Sequence, residues 1–317
     1  MSARAFAARY AHEAVLVLAL LALLSYAALV DRRFVSLAAQ QGLIGDMWEI
    51  ATLSVPLTLI IITGGIDLSL GSTMALASVV FGLAHAAHWG VWLAAAAAIA
   101  AGAGAGALNG VFVAWVRVHP LLVTLATLAA FRGAAEGLSL GESFSGFPAG
   151  FTALDDNAHG APLSAACFAL IALFASIVLA RTPSGLACYA IGHNETAARF
   201  SGLRVERLKF ALYAAAGAAA GLCAVLYAAR RHTAKADVGD GLELEAITAV
   251  VLGGTSIFGG SGRIVGTVLG TLLIHETRQF VSWHWERDEL TGMVVGVLLI
   301  VAVLVHSLST RTSRTTR

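Results

Sequence analysis

Charge is missing where this chain is most apolar. Between Leu68 and Val116, 49 residues pass without one Asp, Glu, Lys or Arg. A water-soluble helix needs a polar face, so no soluble fold accommodates that run. A bilayer does, because about 20 apolar residues rising 1.5 Å each cross the hydrocarbon core. The run fits two crossings with a turn near His85, His88 and Trp89. Lysine is scarce as well: Lys209 and Lys235 are the only two, and neither lies in a glycine loop. Without G-x-x-x-x-G-K-[ST] the chain has no P-loop, so it does not bind and hydrolyse ATP by that device. Cys167, Cys188 and Cys223 are the only cysteines, and their spacing suits neither a zinc site nor a disulfide framework.

What is present is hydrophobic. The chain is 58% hydrophobic and 12% charged, the latter about half the soluble norm. Uncharged stretches recur at Ala14–Val30, Ile50–Ile66, Val118–Phe131, Asn157–Ala180, Phe210–Ala229, Ala246–Gly262 and Leu290–Thr310, and Gly262–Glu289 is mostly apolar. These predict an all-α, polytopic membrane protein of about ten transmembrane helices. The first span has no A-x-A-like cleavage site and is read as retained. No polar interruption is long enough to bury a core of its own, so residues 1–317 read as one transmembrane domain. A basic flank covers residues 1–12, and a Ser/Thr-rich basic tail covers 308–317 and reads as disordered. Nothing in the composition suggests nucleic acid or a bound metal.

Lys and Arg in short loops orient a membrane protein. The loop 181–209 is the richest, and Arg4, Arg9, Arg311, Arg314 and Arg317 flank the ends. Placing all three inside puts both termini in the cytoplasm and requires an even number of spans. Arg32–Arg33 and the group Arg230, Arg231 and Lys235 dissent. Within the loop, Asn194–Gly202 reads as a short helix capped by Asn194, with Glu195 in its first turn and Gly202 at its αL end. It would present Ala197, Ala198 and Phe200 either to a partner's groove or to lipid headgroups.

Two apolar spans end in a double glycine and a polar break. Ile62–Ser72 carries Gly64, Gly65 and Asp67, and Val251–Gly260 carries Gly253, Gly254 and Thr255. Both fit Gly-Gly-x-x-(Leu/Ile)-x-x-Gly, with Gly71 matching Gly260, which predicts an internal repeat of broken helices with a solute path between the halves. Asp67 is the sole acid of its neighbourhood. It is read either as a path-lining group or as a cap, with Asp67 or Ser69 accepting backbone N–H groups where the helix resumes. Small-xxx-small pairs such as Gly102/Gly106 and Gly217/Gly221 read as helix packing. Arg132 and Glu136 are spaced to pair at i, i+4.

Four segments then occur in order: Thr63–Ser72; Asn109-Gly110 with Pro120–Leu128 and Arg132-Gly133; Tyr189–Gly202; and Ala246–Gly260. Together they resemble the permease subunits of bacterial sugar ABC importers, the ribose, xylose, arabinose, rhamnose and autoinducer-2 group, over about Glu13–His306. Ala130–Phe151 is most similar to the rhamnose and autoinducer-2 branch. The resemblance implies a dimeric inner-membrane permease, paired with itself or a paralogue and surrounded by lipid. It implies that a periplasmic sugar-binding protein delivers a monosaccharide or related small polyol. It also implies a cytoplasmic ABC ATPase that carries the ATP and magnesium, so that this chain binds no cofactor and is not an enzyme. Asn194, Glu195, Ala197, Ala198, Arg199 and Gly202 match the family's coupling loop. Leu186 and His193 depart from its pattern and stand beside that loop. Candidate path residues are Gly64, Gly65, Asp67, Ser69, Gly253, Gly254 and Thr255.

Two other functions use the same features. An ion-coupled transporter also has broken helices and would rely on Asp67. An intramembrane serine protease would use Ser261 in Gly259-Gly260-Ser261-Gly262, with His275 or His284 as base.

Overall fold

A computed structural model describes residues 3–155, 162–285 and isolated positions between 290 and 300. The expected last span, Leu290–Thr310, and the basic tail lie outside this description as continuous elements. Thirteen α-helices are described, and an isolated bridge between Phe144 and Ala234 is the only β pairing among the described residues. Helix α1 is Ala3–Val30, α2 Leu37–Leu43, α3 Met47–Ile62, α4 Leu70–Ala86 and α5 Val91–Val111. Helix α6 is Pro120–Ser139, α7 Ala149–Thr152, α8 Leu163–Arg181 and α9 Pro183–His193. The order ends with α10 Glu195–Phe200, α11 Val205–Arg231, α12 Leu242–Leu252 and α13 Ile264–Trp285.

Among the described residues, five helical stretches are long and apolar enough to cross a bilayer: His12–Val30, Val91–Val116, Pro120–Ser139, Leu163–Arg181 and Val205–Arg231. Counting the bent pair α2–α3 as one span makes six. Helix α3 is the hub. Every residue but Trp48 is buried, which fits a helix that is apolar on all sides. Helices α1 and α8 bury little within the chain and so present their apolar surface outward, as lipid-facing helices do.

Close helix approach follows from small residues. A side chain on Gly102 or Gly106 of α5 would strike the backbone of α11 at Gly217 or Tyr213. Dispersion and backbone contact, rather than water exclusion, hold such pairs in lipid. Buried hydroxyls add links: Thr58 of α3 and Thr267 of α13 share a hydrogen bond of 2.7 Å. At the far end of the bundle, Arg230 of α11 pairs with Glu49 of α3.

Three expectations change here. The span Ile50–Ile66 ends at Ile62, and Ala246–Gly262 starts at Leu242 and ends at Leu252. In both, a glycine at positive φ closes the helix early: Gly64 at +77° and Gly254 at +87°. Arg132 does not turn to Glu136. Its guanidinium instead donates to the carbonyls of Ala236 and Val238 at 2.5 and 3.0 Å, because the segment 232–241 folds back beside α6 and offers unpaired acceptors.

Candidate functional site

The two glycine breaks are built alike. At the end of α3, Gly64 N–H donates to Ile61 O at 2.9 Å and Gly65 N–H to Ile60 O at 3.0 Å. At the end of α12, Gly254 N–H donates to Val251 O at 2.9 Å and Thr255 N–H to Val250 O at 3.2 Å. Both are Schellman caps with glycine at the left-handed position. The geometry therefore equates Gly64 with Gly254, one residue off the Gly64/Gly253 alignment of the sequence motif. Gly253 is needed for a different reason, because a side chain there would strike Gly266 of the antiparallel α13.

After the first cap the chain runs without regular secondary structure from Gly65 to Ser69 before α4 starts. Backbone buried away from water must find partners inside the protein. Tyr213 OH donates to Ile66 O at 3.1 Å. Asp67 Oδ1 accepts from Ser69 N–H at 2.9 Å and from Ser69 Oγ–H at 2.7 Å, and Asn109 Nδ2 donates to Ser69 Oγ at 2.7 Å. Asp67, Ser69 and Asn109 are all about 1% exposed or less. The arrangement is an Asx turn just ahead of α4, with the acceptor on Asp67 and the bonded N–H on Ser69, and Ser69 itself makes no side-chain cap bond to the helix that follows. Asn109 and Tyr213 complete it, and neither stood among the candidate residues. Asn109 was visible only as part of a motif, and Tyr213 had no local signal.

At the second break, Gly260 N–H donates to Ile62 O at 2.9 Å, so the two interrupted segments touch. Gly253 and Gly254 border a cleft of about 530 Å³ together with His12, Tyr189 and Ser261. Gly64 is exposed, whereas Gly65 and Thr255 are buried. The candidate path residues thus divide into a buried turn ahead of α4 and a glycine-edged cleft. Neither histidine expected as a base for Ser261 stands beside it: His275 and His284 lie 11 and 20 residues into α13 from Ile264, roughly 17 and 30 Å along its axis.

Helix α10 is a third Schellman-capped element. Asn194 Oδ1 accepts Ala197 N–H at 2.9 Å, Gly202 has φ +82°, and Leu203 N–H donates to Ala198 O. Glu195 bridges Arg199 at 2.7 Å and Lys209 at 2.5 Å, and Arg199 reaches Glu206 at 3.4 Å. These pairs fix α10 to the first turns of α11. Ala198 corrects the expected outer face. It is 5% exposed and packs on Ile191 and Val205, so the presented residues are Thr196, Ala197 and Phe200, the last 89% exposed. A six-residue helix shows outward whatever its neighbours leave uncovered, and the cap signals alone do not fix that side.

With this geometry in hand, comparison with known proteins is specific. The family model described as "Branched-chain amino acid transport system / permease component" matches residues 42–303. The chain belongs to this permease family. Among curated relatives, the autoinducer 2 import system permease protein LsrD of Klebsiella pneumoniae is 35% identical over 271 residues, covering 83% of this chain and 82% of that protein. The same-named protein of Yersinia pseudotuberculosis is 35% identical over 271 residues, covering 83% and 81%. That of an Enterobacter species is 34% identical over 271 residues, covering 83% of each. No solved structure matches. The permease is thus of the sugar-importer type that the four motifs indicated. It is an all-α, multi-pass membrane protein.

Proposed function

We propose that this permease is the membrane half of an ATP-binding cassette importer in the bacterial inner membrane. It would work as a pair with itself or a paralogue. A periplasmic binding protein delivers the solute, and a separate cytoplasmic ATPase, holding ATP and magnesium, drives the cycle. Autoinducer 2 is the first solute to test, because the relatives named above are named for it. Monosaccharides such as rhamnose are the next.

The observation that carries the reading is α10. It is a rigid, doubly capped helix pinned by ion pairs, yet it leaves Phe200 uncovered. An aromatic side chain held rigid and exposed is a good anchor for a partner's groove. The chain lacks a P-loop, so a motor has to be supplied from outside. With α10 in the cytoplasm, α1 enters the bundle from that same face, since His12 contacts Leu252 O and Glu13 pairs with Arg263 beside the second break. The N-terminus is then cytoplasmic.

The test is co-purification of the tagged chain with its co-expressed ATPase. Phe200→Glu is expected to lower the retained ATPase at least tenfold while leaving the amount of permease in the membrane unchanged. Equal retention would contradict the docking role of α10. Uptake by vesicles holding the assembled complex, offered autoinducer 2 and rhamnose in competition, then assigns the solute.

A further inference from the structure

Helix α9 reaches the junction of both glycine breaks with its last turn. A methyl group on Gly192 would overlap the Ile62 carbonyl oxygen and the Gly260 amide nitrogen, the two atoms that form the hydrogen bond between the breaks. A Cβ on Gly259 would lie 2.9 Å from Gly64 N and 3.1 Å from Gly192 Cα. Three backbones therefore cross at one point: the end of α3, the second break and α9. Two neighbours on α9 hold the same loop. Tyr189 OH donates to Gly262 O at 2.8 Å, and a Cβ on Gly260 would meet His193 Nδ1 at 2.7 Å. The His193 ring is itself fixed, with Nδ1 2.8 Å from Tyr189 O.

The other end of this junction is α10. Asn194 is both the last cap of α9 and the first cap of α10, so one residue separates the helix that holds the breaks from the helix that shows Phe200. Displacement of α10 has no slack loop in which to dissipate. Packed backbone contacts shift between discrete arrangements rather than deforming continuously.

We propose that Gly192 is the positioning residue through which movement of α10 reaches both broken helices at once. The proposal rests on the docking reading of α10 and adds the route. The load passes from α10 through Asn194 and His193 to Gly192, and there into the bond between Gly260 and Ile62. Glycine is required because any side chain would part the two breaks. Tyr189 keeps the second break in register with α9 by its bond to Gly262.

The test uses the full complex, with its ATPase, in lipid nanodiscs, followed by hydrogen–deuterium exchange with and without a non-hydrolysable ATP analogue. Peptides covering 194–203, 60–70 and 252–262 report docking and the two breaks. In the wild-type complex the ATPase protects 194–203, and the analogue changes exchange at both breaks together. Gly192→Ala is expected to keep the protection at 194–203 and to reduce the nucleotide response of both breaks at least threefold. A purely structural role would alter exchange equally with and without nucleotide. Protection at 194–203 with an unchanged response at either break overturns the relay alone. No protection at 194–203 in the wild-type complex overturns the docking reading, and the relay with it. If Gly192→Ala does not assemble, Tyr189→Phe carries the test, because it removes only the hydroxyl on Gly262. A halved response at 252–262 supports the relay, and an unchanged one overturns it.

Discussion

Gly260 N–H donates to the Ile62 carbonyl oxygen at 2.9 Å, joining the end of α3 to a loop that follows α12. Two segments far apart in sequence, each ended by a left-handed glycine, thereby form one structural unit. A stress on one break is felt by the other.

The first cap can be tested without any packing effect, because nothing lies within 4 Å of a Cβ on Gly64, yet its φ is +77°. Gly64→Ala is expected to lower stability in detergent by about 1–2 kcal/mol, the cost of a left-handed L-residue. Gly64→Asn is expected to cost about half as much or less, since asparagine tolerates that conformation. Denaturant unfolding followed by tryptophan fluorescence measures both. Equal losses would show that the φ value is not the cause.

Asp67 and Ser69 distinguish a structural turn from a solute contact. Asn at position 67 keeps an oxygen for Ser69 N–H, so Asp67→Asn is expected to leave uptake within about threefold of wild type. Ser69→Ala removes the hydroxyl that joins Asp67 to Asn109 and is expected to cost about 1–3 kcal/mol of stability. A Km for uptake raised tenfold in Asp67→Asn, with stability intact, would instead place the carboxylate on the solute.

Glu195 ties α10 to α11 through Arg199 and Lys209, and the Lys209 side chain is only 8% exposed. Glu195→Ala leaves a buried ammonium group without its carboxylate and frees α10 to fray. Loosening the helix raises the ordering cost of docking. ATPase affinity, read by surface plasmon resonance on the immobilised permease, is expected to fall about five- to tenfold. Lys209→Met in the same background is expected to recover part of it. No change in affinity would mean that the ion pairs do not order α10.

Glycines 102 and 104 make a paired test of helix packing. A side chain on Gly102 strikes Gly217 and Gly221, whereas nothing lies within 4 Å of one on Gly104. Gly104→Ala is expected to hold or raise the melting temperature, since alanine is favoured over glycine in a helix by about 1 kcal/mol. Gly102→Leu is expected to abolish monodisperse protein in size-exclusion chromatography. Similar behaviour of the two variants would contradict the close crossing of α5 and α11.

How much was readable from the sequence depends on the reach of each signal. Helix α10 was legible because Asn194, Glu195 and Gly202 act within a single turn of their own backbone. The two breaks were legible for the same reason, since a Schellman cap needs only its glycine. Their register was not. Gly253 looks like half of a cap pair, but it serves Gly266 across the helix interface, and no local pattern separates those uses. Ala198 turned inward because Ile191 and Val205 lie beneath it. Arg132 left its i, i+4 neighbour because carbonyls about a hundred residues away compete better than an exposed ion pair. Gly192 was visible only as part of the Tyr189–Gly202 motif, because its role exists only when α3 and the second break are folded against it.

The central claim is that this chain conducts solute and a second protein supplies the energy. Accumulation of labelled autoinducer 2 by proteoliposomes tests it most directly, first with the permease alone and then with the ATPase, binding protein and internal Mg-ATP. The account predicts no accumulation by the permease alone, with or without an imposed proton or sodium gradient, and uphill uptake by the complete set that stops when ATP is withdrawn. Gradient-driven accumulation by the permease alone would contradict it.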